Sequence, residues 1–338
     1  MTQGRIPTLD GLRAVAISTV IAAHVTGRGF GRIGVMIFFA LSGYLITTRL
    51  LEEYAKHGRI SLRDFYLRRA FRILPPAVTY IAILSLLVAL GIVACNGWDI
   101  LGSLLFYSNY MDIGDEGWKV GHFWSLSVEE HFYLIWPALL VLFGVWKGWR
   151  TAAVLAVGMI GWRLIDNHFH IISRALNAPY LQEWQYRTDL IADTLLWGCC
   201  LAFVKVRSNA AVSLSVAAVA GVLLVLMIVG VQNRYLSYLI QNAHFIPAVF
   251  LWAILSCPTS TIGRFLELAP MRFIGALSYS LYIWQQFFFG GPGRHLPEVL
   301  GVAATFACAY LSYRLIEQPA IRLGKSVLSG KALVPSVG

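Results

Sequence analysis

The sequence predicts an all-α, polytopic membrane protein, with about ten transmembrane helices around a central cavity and both termini in the cytoplasm. Three observations predict it. Of 338 residues, 58% are hydrophobic and 13% charged, and the mean hydropathy is +0.66. A soluble domain carries about 25% charged residues. Apolar stretches recur at lengths approaching the ~20 residues that a helix needs to cross a bilayer core. The basic residues behind the net charge of +10 lie between those stretches, not on a soluble face. That is the pattern of the positive-inside rule, and it argues against a nucleic-acid partner.

The spans are expected at 13–28, 33–48, 74–95, 123–145, 151–166, 187–204, 211–231, 244–257, 273–290 and 299–317. The polar start MTQGRIPTLD leads into an apolar stretch without a small-residue cleavage site, so it reads as a retained first span and not a signal peptide. Several spans are short, which suits packing around a cavity. With the N-terminus inside, most of the 27 basic residues fall on inner segments, including Arg5, Arg49, Lys56, Arg59, Arg63, Lys147, Arg150, Lys205, Arg207 and Lys331. The outer side holds Asp99, Asp112, Asp115 and Glu116. Residues 1–325 form one membrane domain and 326–338 a short cytoplasmic tail. The five cysteines (Cys95, Cys199, Cys200, Cys257, Cys308) show neither zinc spacing nor a disulfide framework and read as packing residues. No internal repeat stands out, and no metal site is expected.

Arg13 and His24 stand eleven residues apart in the first span. Eleven helical residues turn about 1100°, within about 20° of three full circles, and rise ~16 Å. Both side chains therefore share a face, one near a membrane surface and one deep. Ionisable groups in a membrane are costly and are functional candidates by default. Arg13 also fits an ordinary positive-inside anchor, and His24 a satisfied interior histidine. Histidine titrates near neutral pH, which suits a general base. Asp10 is placed to cap the first helix and to pair with Arg13 one turn on.

The segment Arg63–Arg72, closed by Pro75-Pro76, places Arg69 and Arg72 one helical turn apart, with Arg68 beside them. Paired guanidinium groups grip phosphates through forked hydrogen bonds, and anionic lipid is the competing ligand. At the mouth of the fourth span, His122, Ser125, Glu129 and Tyr133 fall on one stripe (i, i+3, i+7, i+11). Glu129 reads either as a charge favoured at a helix N-terminus or as the partner of a catalytic histidine. Ser42-Gly43 suits close helix packing, with a serine nucleophile as the weaker reading. Arg187, Asp189 and Asp193 read as structural ion pairs.

Taken together, these segments closely resemble the membrane acyltransferase 3 family, which modifies bacterial cell-surface glycans and related molecules. The matching stretches are Leu9-Asp10-Gly11-Leu12-Arg13-Ala14 with His24, Ile37 to Ile46 around Ser42-Gly43-Tyr44, Phe65-Tyr66-Leu67-Arg68-Arg69 with Arg72, Trp124 to Glu130, Ser278 to Trp284, and Glu317-Gln318-Pro319. They run in order from residue 6 to about 323.

The resemblance implies acyl transfer, acetyl as the default, from a cytoplasmic acyl-CoA to a hydroxyl of a glycan or related acceptor at the bacterial inner membrane. No cofactor is implied beyond that donor substrate. The family's functional residues fall on Arg13, His24, Arg69 and Arg72, and its acidic position on Glu129. In the mechanism expected here, Arg69, Arg72 and Arg68 hold the donor phosphates and Arg13 lines its path. His24 takes the acceptor proton, and Glu129 orients or charges the imidazole. If an acyl-enzyme forms, its carrier is His24, Ser42 or Ser127.

Four positions depart from the pattern. Met36 and His131 replace more usual polar residues. Ile191 stands before Asp193 where many members carry arginine, so no ion pair is expected from that position. Gln285 follows Trp284 where histidine is common, and no catalysis is assigned there. The chain ends soon after its last span, so one membrane domain is expected to act alone or with a separate partner. The competing functions are a transporter or flippase for a lipid-linked saccharide and a non-catalytic scaffold. Aromatic residues of the outer loops (Trp98, Tyr107, Tyr110, Trp118, Tyr180, Trp184) read as sugar platforms or as an interfacial belt.

Overall fold

In a bilayer core every backbone N–H and C=O must be bonded within the protein, which restricts spanning structures to helices and closed barrels. A computed structural model describes residues 6–182, 186–204, 209–229, 242–289 and 296–329, with 233, 236, 239 and 240. The described residues form helices, turns and no strand. Arg5, Trp184, Lys205, Arg207 and Lys331 lie outside the described residues, as do positions 230–231, 291–295 and 330–338.

The helices are α1 (Pro7–Thr26), α2 (Gly31–His57), α3 (Leu62–Ala89), α4 (Gly97–Leu104), α5 (Phe123–Phe143), α6 (Gly148–Phe169), α7 (Ile171–Ala175), α8 (Thr188–Ile191), α9 (Asp193–Ala202), α10 (Ala210–Val229), α11 (Ile246–Leu255), α12 (Thr261–Leu266), α13 (Ala269–Phe288), α14 (Glu298–Ser312) and α15 (Gln318–Ser329). A π-helical turn at Tyr313–Glu317 joins the last two.

Among the described residues, six helical segments are long and apolar enough to cross a membrane: Pro7–Thr26, Gly31–His57, Leu62–Ala89, Phe123–Phe143, Ala210–Met227 and Glu298–Ser329. The chain is a multi-pass membrane protein, and every expected span meets a helix. The others differ from a simple span for visible reasons. Helix α6 carries Arg150, Arg163 and Asp166, and α13 carries Arg272, Gln285 and Gln286, so both are more polar. Helices α9 and α11 have 10 residues each. The expected tail is helical as far as Ser329.

Pro7 at the first helical position opens α1, where a missing N–H costs nothing. Gly27 closes α1 and Gly58 closes α2, both in the left-handed conformation at φ of 66° and 68°. Helix α3 begins well before its expected span. Its cap is Ser61, whose hydroxyl accepts from the Asp64 N–H at 3.3 Å. It then runs through Pro75 and Pro76 without ending, so the basic segment and the apolar span are one helix.

Helix α1 lies inside the bundle, packed along α13 and α2, and α2 packs on α9. Backbone contact holds both crossings. A Cβ on Gly275 would meet the Asp10 carbonyl of α1, and one on Gly43 would meet the Leu195 carbonyl of α9. Gly198 makes the reciprocal approach to Ala40. Gly43 is therefore a packing residue, as its small size suggests. The five cysteines are unpaired, with Cys199 and Cys257 buried.

Candidate active site

Five helices leave a cavity between them. Arg13 of α1, Phe38, Phe39 and Ser42 of α2, Arg69 and Arg72 of α3, Ser125, Glu129 and Tyr133 of α5, and Ser278, Tyr279 and Tyr282 of α13 line it. It is partly open to the outside. A second recess adjoins it, lined by Arg49, Glu53, Arg68, Arg69 and Arg72. Arg69 and Arg72 belong to both, so the two form one path with an arginine-rich mouth.

The charges at the mouth lie close together. Arg13, Arg49, Arg69 and Arg72 act on one another electrostatically. Arg69 sits over the Tyr133 ring, with the guanidinium carbon 4.4 Å from its centroid. Arg68 bonds Glu53 at 2.9 Å and is half exposed. Glu317, from the π-helical turn, accepts from Ser280 at 2.8 Å and faces Arg72 and Arg13. Several guanidinium groups in one recess repel one another, so the arrangement can receive an anion such as a phosphate.

Inside the cavity, Ser42 donates to Glu129 Oε1 at 2.7 Å, and the Tyr133 hydroxyl donates to Ser42 at 3.1 Å. Of the stripe read from α5, Ser125, Glu129 and Tyr133 face the cavity, whereas its first member, His122, does not line it. The pairing expected for Glu129 is not the one observed. Its carboxylate engages Ser42 and lies in the field of Arg69 and Arg13. His24 stands at the opposite end of α1 and does not line this cavity. Its ring packs edge-on to Trp118 at 5.8 Å, and the Gln285 side chain lies beside it. The separation follows from α1 itself, which carries Arg13 and His24 ~16 Å apart along its axis.

Asp10 pairs with Arg13 at 3.4 Å, as expected. It is not the N-cap residue, because the helix starts at Pro7 and Asp10 lies within its first turn. Ser127 faces away from the cavity, bonded to the Phe123 carbonyl at 2.9 Å and to Ser108 at 3.2 Å. Helical spacing sets it two residues off the Ser125 face.

Asp193 does have a cationic partner. Arg163 of α6 bonds both its oxygens at 3.2 Å, replacing an arginine at position 191. His244 adds a 2.7 Å contact. Arg187 bridges Asp189 and Asp166, which agrees with the structural reading of that group. Arg163→Ala would strand a fully buried carboxylate. We expect it to cost about 3–5 kcal/mol, read as a lower Tm in detergent, with Arg163→Met plus Asp193→Leu recovering most of the loss.

Sequence reasoning passed over Arg49, Tyr279, Tyr282, Glu317 and Arg163. Arg49 had a usable signal. Ser42, Leu45 and Arg49 fall at i, i+3 and i+7 on α2, so the arginine shares the serine's face. The others depend on which helices meet.

A family model described as an acyltransferase domain matches residues 6–314. The chain belongs to the acyltransferase 3 family. This acyltransferase 3 chain is 32% identical over 348 residues to the peptidoglycan O-acetyltransferase OatA of Listeria monocytogenes, covering 93% of this chain and 55% of the relative. It is 29% identical over 359 residues to the O-acetyltransferase OatA of Staphylococcus aureus strain NCTC 8325, covering 94% and 58%. The chain thus spans about half the length of these relatives. No solved structure matches it. Every stretch on which the resemblance was read falls inside the matched region except Glu317-Gln318-Pro319, just beyond it.

Proposed function

We propose that this chain is an integral-membrane O-acyltransferase that moves an acyl group, acetyl by default, from a cytoplasmic acyl-CoA to a hydroxyl of a cell-envelope glycan. Peptidoglycan is the acceptor class named for a relative. The observation that carries the reading is the arginine mouth of the cavity, continuous with a slot beside the helix that bears His24. A bacterial inner membrane with both termini cytoplasmic puts that mouth on the side where acyl-CoA is made, consistent with the positive-inside rule.

In this scheme the donor phosphates lie against Arg49, Arg69 and Arg72, with Arg68 at the rim. The pantetheine arm extends along the cavity past Arg13. His24, on the far side, accepts the proton of the acceptor hydroxyl. The hydroxyl oxygen bonds the acyl carbon, the carbon–sulfur bond breaks, and the proton passes from the imidazolium to the thiolate. Ser42 faces the same cavity under Glu129 and Tyr133, and is the serine placed to receive an acyl group if transfer is stepwise.

Mass spectrometry of cell-wall fragments from cells with and without the gene tests the function. The expected result is loss of one acetyl mass per modified sugar with the glycan otherwise intact. Loss of the whole glycan would replace the enzyme with a transporter, and an unchanged spectrum would remove peptidoglycan as acceptor.

A further inference from the structure

Buried polar atoms without a hydrogen-bond partner are uncommon, and each costs about 1–3 kcal/mol. Around His24 several gather. Among the described residues, His24 Nδ1, both ring nitrogens of His122, Trp284 Nε1 and both amide atoms of Gln285 are buried and make no hydrogen bond of good geometry. Tyr80 ties His122 and Trp284 together, at ring distances of 5.6 and 5.2 Å. Gln285 is fully buried and lies beside the His24 ring. A leucine would fill that position without stranding an amide, so the amide's presence calls for a use.

We propose that Gln285 is a positioning residue that fixes the tautomer and orientation of the His24 imidazole, the part that sequence reasoning gave to Glu129. This rests on His24 being the base. A neutral imidazole carries one N–H and one lone pair, and the hydrogen bond made by the first nitrogen decides which the second presents. The Gln285 carbonyl oxygen takes the N–H, and the lone pair stays available to the acceptor hydroxyl. Glu129 cannot serve, because its carboxylate is engaged by Ser42 inside the cavity that His24 does not line.

An uncharged partner also has a consequence. A carboxylate at this position would favour imidazolium and consume the base near neutral pH, whereas an amide orients without adding charge. The surroundings agree. The titratable neighbour acting on His24 is His122, at the N-terminus of α5. Trp118 is uncharged, and the ammonium of adjacent Lys119 is held by the Phe287 carbonyl at 2.8 Å. Arg32, on α2, is directed toward Tyr186 and the Asp193 network.

The test uses the full chain in detergent, with acetyl-CoA as donor and lysozyme-released peptidoglycan fragments as acceptor. A second readout needs no turnover. Diethylpyrocarbonate modifies unprotonated imidazole, and peptide mass spectrometry resolves its addition at His24. In Gln285→Glu the His24 labelling curve should move to higher pH, because the carboxylate holds the ring proton. Gln285→Leu should lower kcat about 10- to 100-fold, the usual cost of losing a partner that orients a functional histidine, with the KM for acetyl-CoA unchanged. Gln285→His, which restores a polar partner, should recover most of the rate. A labelling curve in Gln285→Glu that superimposes on the wild type would overturn the proposal. So would wild-type kcat in a folded Gln285→Leu protein, a variant that introduces no buried charge. Undiminished turnover in His24→Ala alongside a shifted labelling curve would instead overturn the base assignment and leave the contact standing.

Discussion

His24→Ala should abolish nearly all acyl transfer while the protein inserts and folds normally. A positioned base contributes about 10²–10⁴-fold, so the residual rate should fall at least about a hundredfold at saturating donor. The geometry makes this a clean substitution. Among the described residues His24 Nδ1 makes no hydrogen bond of good geometry, so truncation removes little beyond the contact with the Gln285 amide. The packing lost is the edge contact with Trp118, an aromatic pair of the kind worth about 0.5–1.5 kcal/mol. That is too little to unfold a membrane domain. Donor affinity should persist, because the arginine mouth lies at the far end of α1. The check is a single-turnover assay with radiolabelled acetyl-CoA beside a thermal unfolding scan. Wild-type rates in a well-expressed His24→Ala protein would transfer the base role to another group. The same assay without acceptor shows whether label accumulates on Ser42.

How much of this was legible before the structure depends on the reach of helical periodicity. Within one helix the period of 3.6 fixes which side chains share a face. It correctly grouped Ser125, Glu129 and Tyr133 on α5, and it set Arg69 beside Arg72 on α3. The same rule applied to α2 would have added Arg49 to Ser42. Periodicity says nothing about which faces meet. Glu129 was therefore assigned to His24, although the face of α5 that carries it looks onto Ser42 of α2. Position 191, two residues before Asp193, is an isoleucine and offers it no cation. The partner, Arg163, stands 30 residues earlier and reaches it through the packing of α6 on α9.

Chemistry that depends on a departure from family pattern was the least legible. Gln285 reads as a lost histidine in one dimension and as the neighbour of His24 in three. Hydropathy detects apolar stretches, but a helix buried among others can be polar on the face that builds a site. Thus α13 gives the cavity Ser278, Tyr279 and Tyr282 and falls outside the helices that qualify as spans by length and composition.

The arginine mouth yields the second large effect. Replacing both Arg69 and Arg72 with alanine should raise the KM for acetyl-CoA steeply and leave the acceptor dependence unchanged. Hydrogen bonds to charged groups contribute about 1.5–3 kcal/mol each, which corresponds to about tenfold to a hundredfold per arginine at ~1.4 kcal/mol per decade. The decisive comparison is with acetyl-pantetheine, which keeps the thioester and lacks the nucleotide phosphates. Wild-type protein should prefer acetyl-CoA strongly, and the double variant should lose most of that preference. Ionic strength should weaken acetyl-CoA use in the wild type more than in the variant, because screening acts on the charges removed. Arg68→Ala should do less, since its guanidinium is half exposed and already engaged by Glu53. Lipid anchoring predicts something different. Arginines that hold anionic headgroups would alter both donors equally and change the rate through insertion or stability, with no shift in preference between the two thioesters. Arg69 also rests on the Tyr133 ring, so the double variant should lose some stability. Comparing the two thioesters within one preparation removes that loss from the result, because a partly unfolded sample lowers both rates by the same factor. A retained preference for acetyl-CoA in the double variant would return Arg69 and Arg72 to the membrane surface and leave the cavity without its donor site.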